Sequence, residues 1–221
     1  MKKSILAIVL ISLIGLKASA QNDPAAQAIL DKTSAKNNSY KTIKANFKFI
    51  SSSLKNNQSK TELGKILIKG EKYHLTYGNS DIYFDGKNVY NYLKSANELN
   101  ISKPESFKKD KGSVFFSNPR DIFRLYSKNF KSKLIGDNTV GKQVCYEIDL
   151  YPIDIKVQYT RIRAHIEKNS LQIVGLKVFY KDGAQYEIEI SNFGANHDIP
   201  ENEFVFDSKK YPGIQVNDMR F

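Results

Sequence analysis

From Ile43 onward the chain is written in twos. Ile43, Ala45, Phe47 and Phe49 alternate with Lys44, Asn46 and Lys48; Ile66 and Ile68 with Lys65 and Lys69; Tyr73, Leu75 and Tyr77 with Lys72, His74 and Thr76. Ile82 and Phe84 flank Tyr83, and after the turn Asp85-Gly86 a further strand runs from Asn88 to Leu93. Period-two alternation predicts strands with one buried and one wet face, and the Gly, Asn and Asp turns between them predict an antiparallel meander. The same signal returns late in the chain. Val144, Tyr146, Ile148 and Leu150 alternate with Cys145, Glu147 and Asp149; Ile162, Ala164 and Ile166 with Arg161, Arg163, His165 and Glu167. Val174, Leu176, Val178 and Tyr180, the turn Asp182-Gly183, and Tyr186, Ile188 and Ile190 form the clearest hairpin.

Helical spacing occurs twice. Asp23 can cap a helix that Pro24 opens, with Ala25, Ala28, Ile29 and Leu30 on an apolar side through about Ala35 and Asn37-Asn38-Ser39 closing it. Between Ser95 and Lys133 strand alternation stops; there Ile122, Phe123, Tyr126 and Phe130 predict a second short helix over 119–130, after the cap-like pair Ser117-Asn118.

Eight or nine strands that each present large apolar residues to one face create a broad apolar surface, and only two helical segments are available to cover it. A sheet this wide curls, so the helices can close its mouth over a hydrophobic cavity. The alternative is a core filled by the chain's own aromatics, 13 Tyr and 13 Phe.

The first 20 residues have a different character. Lys2 and Lys3, the apolar run Ser4 to Leu16, and Ala18-Ser19-Ala20 have the three parts of a secretory signal peptide. Lys17 ends the run well short of the roughly 20 apolar residues needed to span a bilayer. Cleavage before Gln21 leaves one expected domain, 21–221, with no cysteine at its start to acylate, and hence a soluble, periplasmic protein. The net charge of +11 loses Lys2, Lys3 and Lys17 with the leader, giving +11 − 3 = +8. The lysines are spread along solvent faces without a basic run, which fits a solvated surface with weak attraction to anionic lipid head groups; no nucleic-acid partner is expected. Cys145 is the single cysteine, so no disulfide forms; it falls on an outward-patterned position.

No catalytic constellation stands out. His74, His165 and His197 are far apart and lack a second ligand at metal-binding spacing; Asp81 and Asp85 border turns, where Asp is ordinary turn chemistry. The chain has no phosphate loop and no nucleophile elbow, and the reading is of a non-enzyme without cofactor or metal.

Several segments, taken in order, carry a resemblance. They are Ser39-Tyr40-Lys41-Thr42-Ile43-Lys44-Ala45-Asn46-Phe47 after the first helix, Gly64-Lys65-Ile66-Leu67-Ile68-Lys69, and Asp85-Gly86-Lys87-Asn88-Val89-Tyr90-Asn91-Tyr92. The strands around Asp182-Gly183 follow, then Ile199-Pro200-Glu201-Asn202-Glu203-Phe204-Val205-Phe206 and Tyr211-Pro212-Gly213-Ile214. Over roughly residues 25 to 217 the chain resembles the periplasmic outer-membrane lipoprotein carriers of the LolA type.

The resemblance implies a mainly β fold with a few α-helices, a strongly curved antiparallel sheet forming an incomplete β-barrel, and helices covering an apolar cavity. It also implies a monomeric carrier of acylated lipoproteins or lipid, loaded by an inner-membrane exporter and unloaded to an outer-membrane acceptor. On this reading Phe47, Phe49, Ile66, Ile68, Tyr73, Leu75, Ile82, Phe84, Leu176, Val178, Tyr186 and Ile188 line the cavity. Ile29, Leu30, Ile122 and Phe123 form the lid. An arginine that holds the lid in the family, just after the strand matching Gly64 to Lys69, is missing here, leaving Lys69 or Lys72 as candidate substitutes. The alternative function is an envelope sensor or lipid-binding protein of the same fold that acts through its surface.

Overall fold

A computed structural model of the 221-residue chain describes residues 22–55, 58–107, 119–124 and 129–220. The expected leader and Tyr126 lie outside the described residues. The first helix, α1 (Pro24–Asn38), starts as its sequence requires: the Asp23 carboxylate accepts from the Ala25 and Ala26 amides at 2.9 and 3.4 Å, and Pro24 occupies the first turn. Its buried residues Ala26, Leu30, Thr33 and Asn37 recur at helical spacing and form one stripe facing the sheet.

Strands β1 (Thr42–Ser53), β2 (Gln58–Lys69), β3 (Lys72–Tyr77), β4 (Ser80–Phe84), β5 (Val89–Leu93) and β6 (Glu98–Ser102) form the first meander. The short helices α2 (Pro104–Phe107) and α3 (Asp121–Arg124) come next. A second meander follows: β7 (Phe130–Val140), β8 (Gln143–Pro152), β9 (Tyr159–Glu167), β10 (Ile173–Tyr180) and β11 (Ala184–Ala195). After two 3-10 turns, β12 (Gln215–Asp218) closes the chain. Antiparallel pairing of β1 with β11 fuses the meanders into one curved, unclosed sheet in the order β12-β6-β5-β4-β3-β2-β1-β11-β10-β9-β8-β7, and β12 pairs parallel to β6. The alternation predicted an antiparallel sheet that curls, and the incomplete barrel that the resemblance implies is the form observed.

The concave face carries one continuous core, drawn from β1 to β5 and β8 to β11 and joined by α1 and α3. Gly64 makes this face possible where β1, β2 and β3 meet. A Cβ there would collide with the Phe47 ring and with the backbone of Thr76, so glycine lets Phe47 lie flat across its neighbour strand.

The structure departs from the sequence expectation in four places. The stretch Ser95 to Lys133 contains strand as well as helix: β6 alternates Leu99 and Ile101 with polar residues, and β7 begins at Phe130. β7 is an edge strand with one partner, so it needs few apolar residues and gives little periodic signal. Of the helix expected over 119–130, Asp121–Arg124 is helical among the described residues, whereas Phe130 is extended, its ring stacked 6.4 Å from Tyr159. Val144 points to solvent at the β7–β8 turn, 50% exposed, whereas Cys145 is buried on the convex side beside Glu167. Finally, the convex face is not wet throughout. Tyr92, Leu99 and Ile101 form a second core there, covered by Phe206, Tyr211 and Ile214 of the closing segment.

Candidate functional site

The twelve residues predicted to line a cavity converge on the concave face. Register sets them in rows across strands: Ile68, Tyr73 and Phe84; Ile66, Leu75 and Ile82; Phe49, Ile188 and Leu176; Tyr186 and Val178. Ten are buried, and Phe84 and Tyr186 are partly buried against the same cluster. From the helices come Leu30, Ile122 and Phe123, all buried, with Ile29 partly buried beside them. Phe123 meets Phe193 of β11 at 5.9 Å between ring centroids.

Among the described residues the part of this face under α3 is closely packed. Among Ala45, Phe47, Ile66, Leu75, Ile122, Phe123, Ile188 and Ile190 the remaining space holds about one water molecule. In this state the chain's own side chains fill the face, as in the filled-core alternative, and α3 supplies the plug. In its described part, Asp121–Arg124, α3 is anchored by the buried Ile122 and Phe123 and by the preceding Arg120.

Among the described residues, Lys69 and Lys72 bond to the closing segment rather than to this lid. Lys69 donates to the Ile199 carbonyl at 2.8 Å and meets Glu201 at 2.9 Å, and Lys72 meets Glu201 at 2.7 Å, so both fasten the closing segment. These bonds, from Lys72 first and then Lys69, keep the Glu201 carboxyl at about 2. The contact between the lid and the β2–β3 turn runs in the other direction: Arg120, buried just ahead of α3, forms an ion pair with Glu71. The sequence signal was available, since Glu71 occupies the turn where the family's arginine is missing.

At the opposite end of the barrel the face changes chemistry. A chain of rings crosses six strands there, from Phe130 to Tyr159, Tyr180, Tyr186, Phe49 and Tyr77, with successive centroids 5.2 to 6.4 Å apart. Burial pushes the Tyr159 and Tyr180 hydroxyls up, keeping them neutral. Beyond this belt lies an open groove of about 630 Å³ lined by Ser51, Ser53, Gln58, Lys60 and Tyr186 among others. An apolar interior, an aromatic threshold and a polar mouth thus follow one another, matching the polarity gradient of an amphiphile. In the sequence Phe49 and Tyr186 read as interior positions, and the belt is not legible there because it is assembled from strands far apart in the chain.

The polar groups on the convex face are consumed in pairing. Asp149, its side chain 1% exposed, receives Arg163 at 2.8 and 3.0 Å and Arg161 at 3.0 Å. Burial alone would raise its carboxyl, but the two guanidinium groups outweigh it and hold the carboxyl low. His165 faces Glu147, and His74 stacks on Tyr83 beside Asp81. Asp85 caps its own turn, so Asp81 and Asp85 stand in separate networks. No group of three His, Cys, Asp or Glu among the described residues is arranged to hold a metal ion.

An unclosed antiparallel half-barrel with helices laid over one continuous apolar face defines a β fold built around a coverable interior. The chain belongs to the outer membrane lipoprotein carrier protein LolA family, whose family model matches residues 16–144. Among solved structures, the fold is similar to an uncharacterized conserved protein from Thermus thermophilus (TM-score 0.56, 15% identity, 88% of this chain and 99% of that one). It is also similar to the lipoprotein LppX of Mycobacterium tuberculosis (TM-score 0.51, 10% identity, 81% of this chain and 99% of that one). Both likenesses show the fold. No curated protein sequence matches the chain. Among the described residues no helix is long and apolar enough to cross a membrane.

Proposed function

We propose that this protein is an exported, leader-processed carrier whose single domain, 21–221, shields the acyl chains of lipoproteins or lipid between the two membranes of the envelope. It would receive them from an inner-membrane exporter and yield them to an outer-membrane acceptor, with no reaction catalysed. The observation that carries this reading is the continuous concave face, apolar from β1 to β11, with Ile122 and Phe123 of α3 lying against it. Each CH₂ kept from water is worth about 0.8 kcal/mol, so a chain of some fifteen carbons gains on the order of 12 kcal/mol, ample to displace these two side chains. Phe47, Phe49, Ile66, Ile68, Tyr73, Leu75, Ile82, Phe84, Leu176, Val178, Tyr186 and Ile188 would contact the chains after Ile122 and Phe123 withdraw.

The close packing under α3 favours one alternative, a protein of the same fold that acts through its surface. Ile68→Glu or Phe84→Glu separates the two. As a carrier, either variant, with its circular dichroism unchanged, loses acylated cargo on purification from the envelope; cargo retained at the wild-type level would favour the surface reading.

A further inference from the structure

Three turns meet at the barrel end that carries the aromatic belt. In the β1–β2 turn the Leu54 amide donates to the Gly183 carbonyl of the β10–β11 turn at 3.1 Å. The Lys181 ammonium of that turn reaches the Ile155 carbonyl in the β8–β9 loop at 2.6 Å, and the Lys181 amide donates to the Gln158 carbonyl. The three segments form one rim, and it is unusual in what it exposes. Leu54 is 68% exposed, Ile153 56% and Ile155 82%, each at a turn where a polar residue would serve the backbone equally well. Lys55, Lys156 and Lys181 stand among them, all exposed. The nearby carboxylates are engaged locally: Asp154 accepts from the Lys156 amide and Asp182 from the Ala184 amide.

We propose that this rim is a docking surface for an anionic bilayer. Aliphatic side chains that project from turns can enter the boundary between head groups and acyl chains, while lysines beside them meet the lipid phosphates. The tyrosines of the belt lie just behind, the ring type favoured at a membrane interface. Charge complementarity selects the occupant: the exported chain, at +8 once Lys2, Lys3 and Lys17 are removed from the full +11, presents exposed aliphatics and lysines together. Docked this way, the polar groove at Ser51, Ser53 and Lys60 faces the head groups, and the Arg120–Glu71 end of the barrel points away. The proposal concerns the surface alone and holds whether or not the interior takes up acyl chains.

Flotation of the exported protein, purified from the envelope, with lipid vesicles tests it. Vesicles of phosphatidylethanolamine with phosphatidylglycerol should bind it at low salt, binding should weaken steeply with added salt, and phosphatidylcholine vesicles should not bind. Each lysine removed, as in Lys55→Gln or Lys156→Gln, should weaken binding about fivefold. Leu54→Ser with Ile155→Ser should abolish retention. Val144→Ser, a half-exposed apolar site at the opposite end, should leave binding intact and controls for general hydrophobicity. Absence of binding to the anionic vesicles, binding kept by the Leu54/Ile155 variant, or equal loss in the Val144 variant would each overturn the proposal.

Discussion

Replacement of Phe123 by alanine tests whether α3 is a removable plug. The ring is 2% exposed, packs on Phe193 and helps fill the space above Phe47, Ile66, Leu75 and Ile188. Truncating a buried Phe costs about 3–5 kcal/mol. What that energy acts on depends on what α3 is. If the helix opens locally, the loss falls on the closed state alone, and at about 1.4 kcal/mol per factor of ten, 3 kcal/mol shifts the closed-to-open ratio by roughly 10²-fold. Acyl binding requires the open state, so its apparent affinity should rise by up to that factor. If α3 is integral core, the same 3 kcal/mol lowers Tm by about 6–12 °C for a domain of this size with no gain in uptake. Titration with a fluorescent fatty acid, paired with thermal unfolding, distinguishes the two. A tighter-binding Phe123→Ala protein, its gain in affinity matched by the loss of closed-state stability, supports the plug. A large fall in Tm with unchanged or weaker uptake would refute it.

Two further predictions address the supports around the site. Asp149→Asn leaves Arg161 and Arg163 without their shared carboxylate and should lower stability by about 2–3 kcal/mol in urea unfolding at neutral pH; an unmoved midpoint would mean the network is dispensable. Glu201, depressed from its ordinary 4.5 to about 2 by Lys72 and Lys69, contributes stability that is fully present above about pH 4.5 and lost as the pH falls toward 2. Wild type and Glu201→Gln should therefore differ at neutral pH and converge in acid, and a gap that persists at pH 2 would contradict the assignment.

The interior was legible in the sequence because its signal is local: one residue in two along β1, β3 and β10 declares the face, and register then aligns the rows. What escaped depends on partners distant in the chain. The burial of Leu99 and Ile101 on β6 depends on the closing segment that covers them, and the aromatic belt, with rings from β7, β9, β10, β11, β1 and β3, exists only once the two meanders are joined in one sheet. Alternation also failed at a strand end, where Val144 lies beyond the core and Cys145 is covered from the convex side. Lys69 and Lys72 were candidates for the lid by position in the β2–β3 hairpin, yet their length carries them to Glu201, while Arg120 reaches Glu71 from the lid itself.

The most direct test of the carrier reading is mass spectrometry of what co-purifies with the protein from its native envelope under mild conditions. The account predicts acylated lipoprotein or lipid bound in stoichiometric amount to the wild type and absent from the Ile68→Glu variant. Wild-type protein recovered folded and free of any acylated species would contradict it.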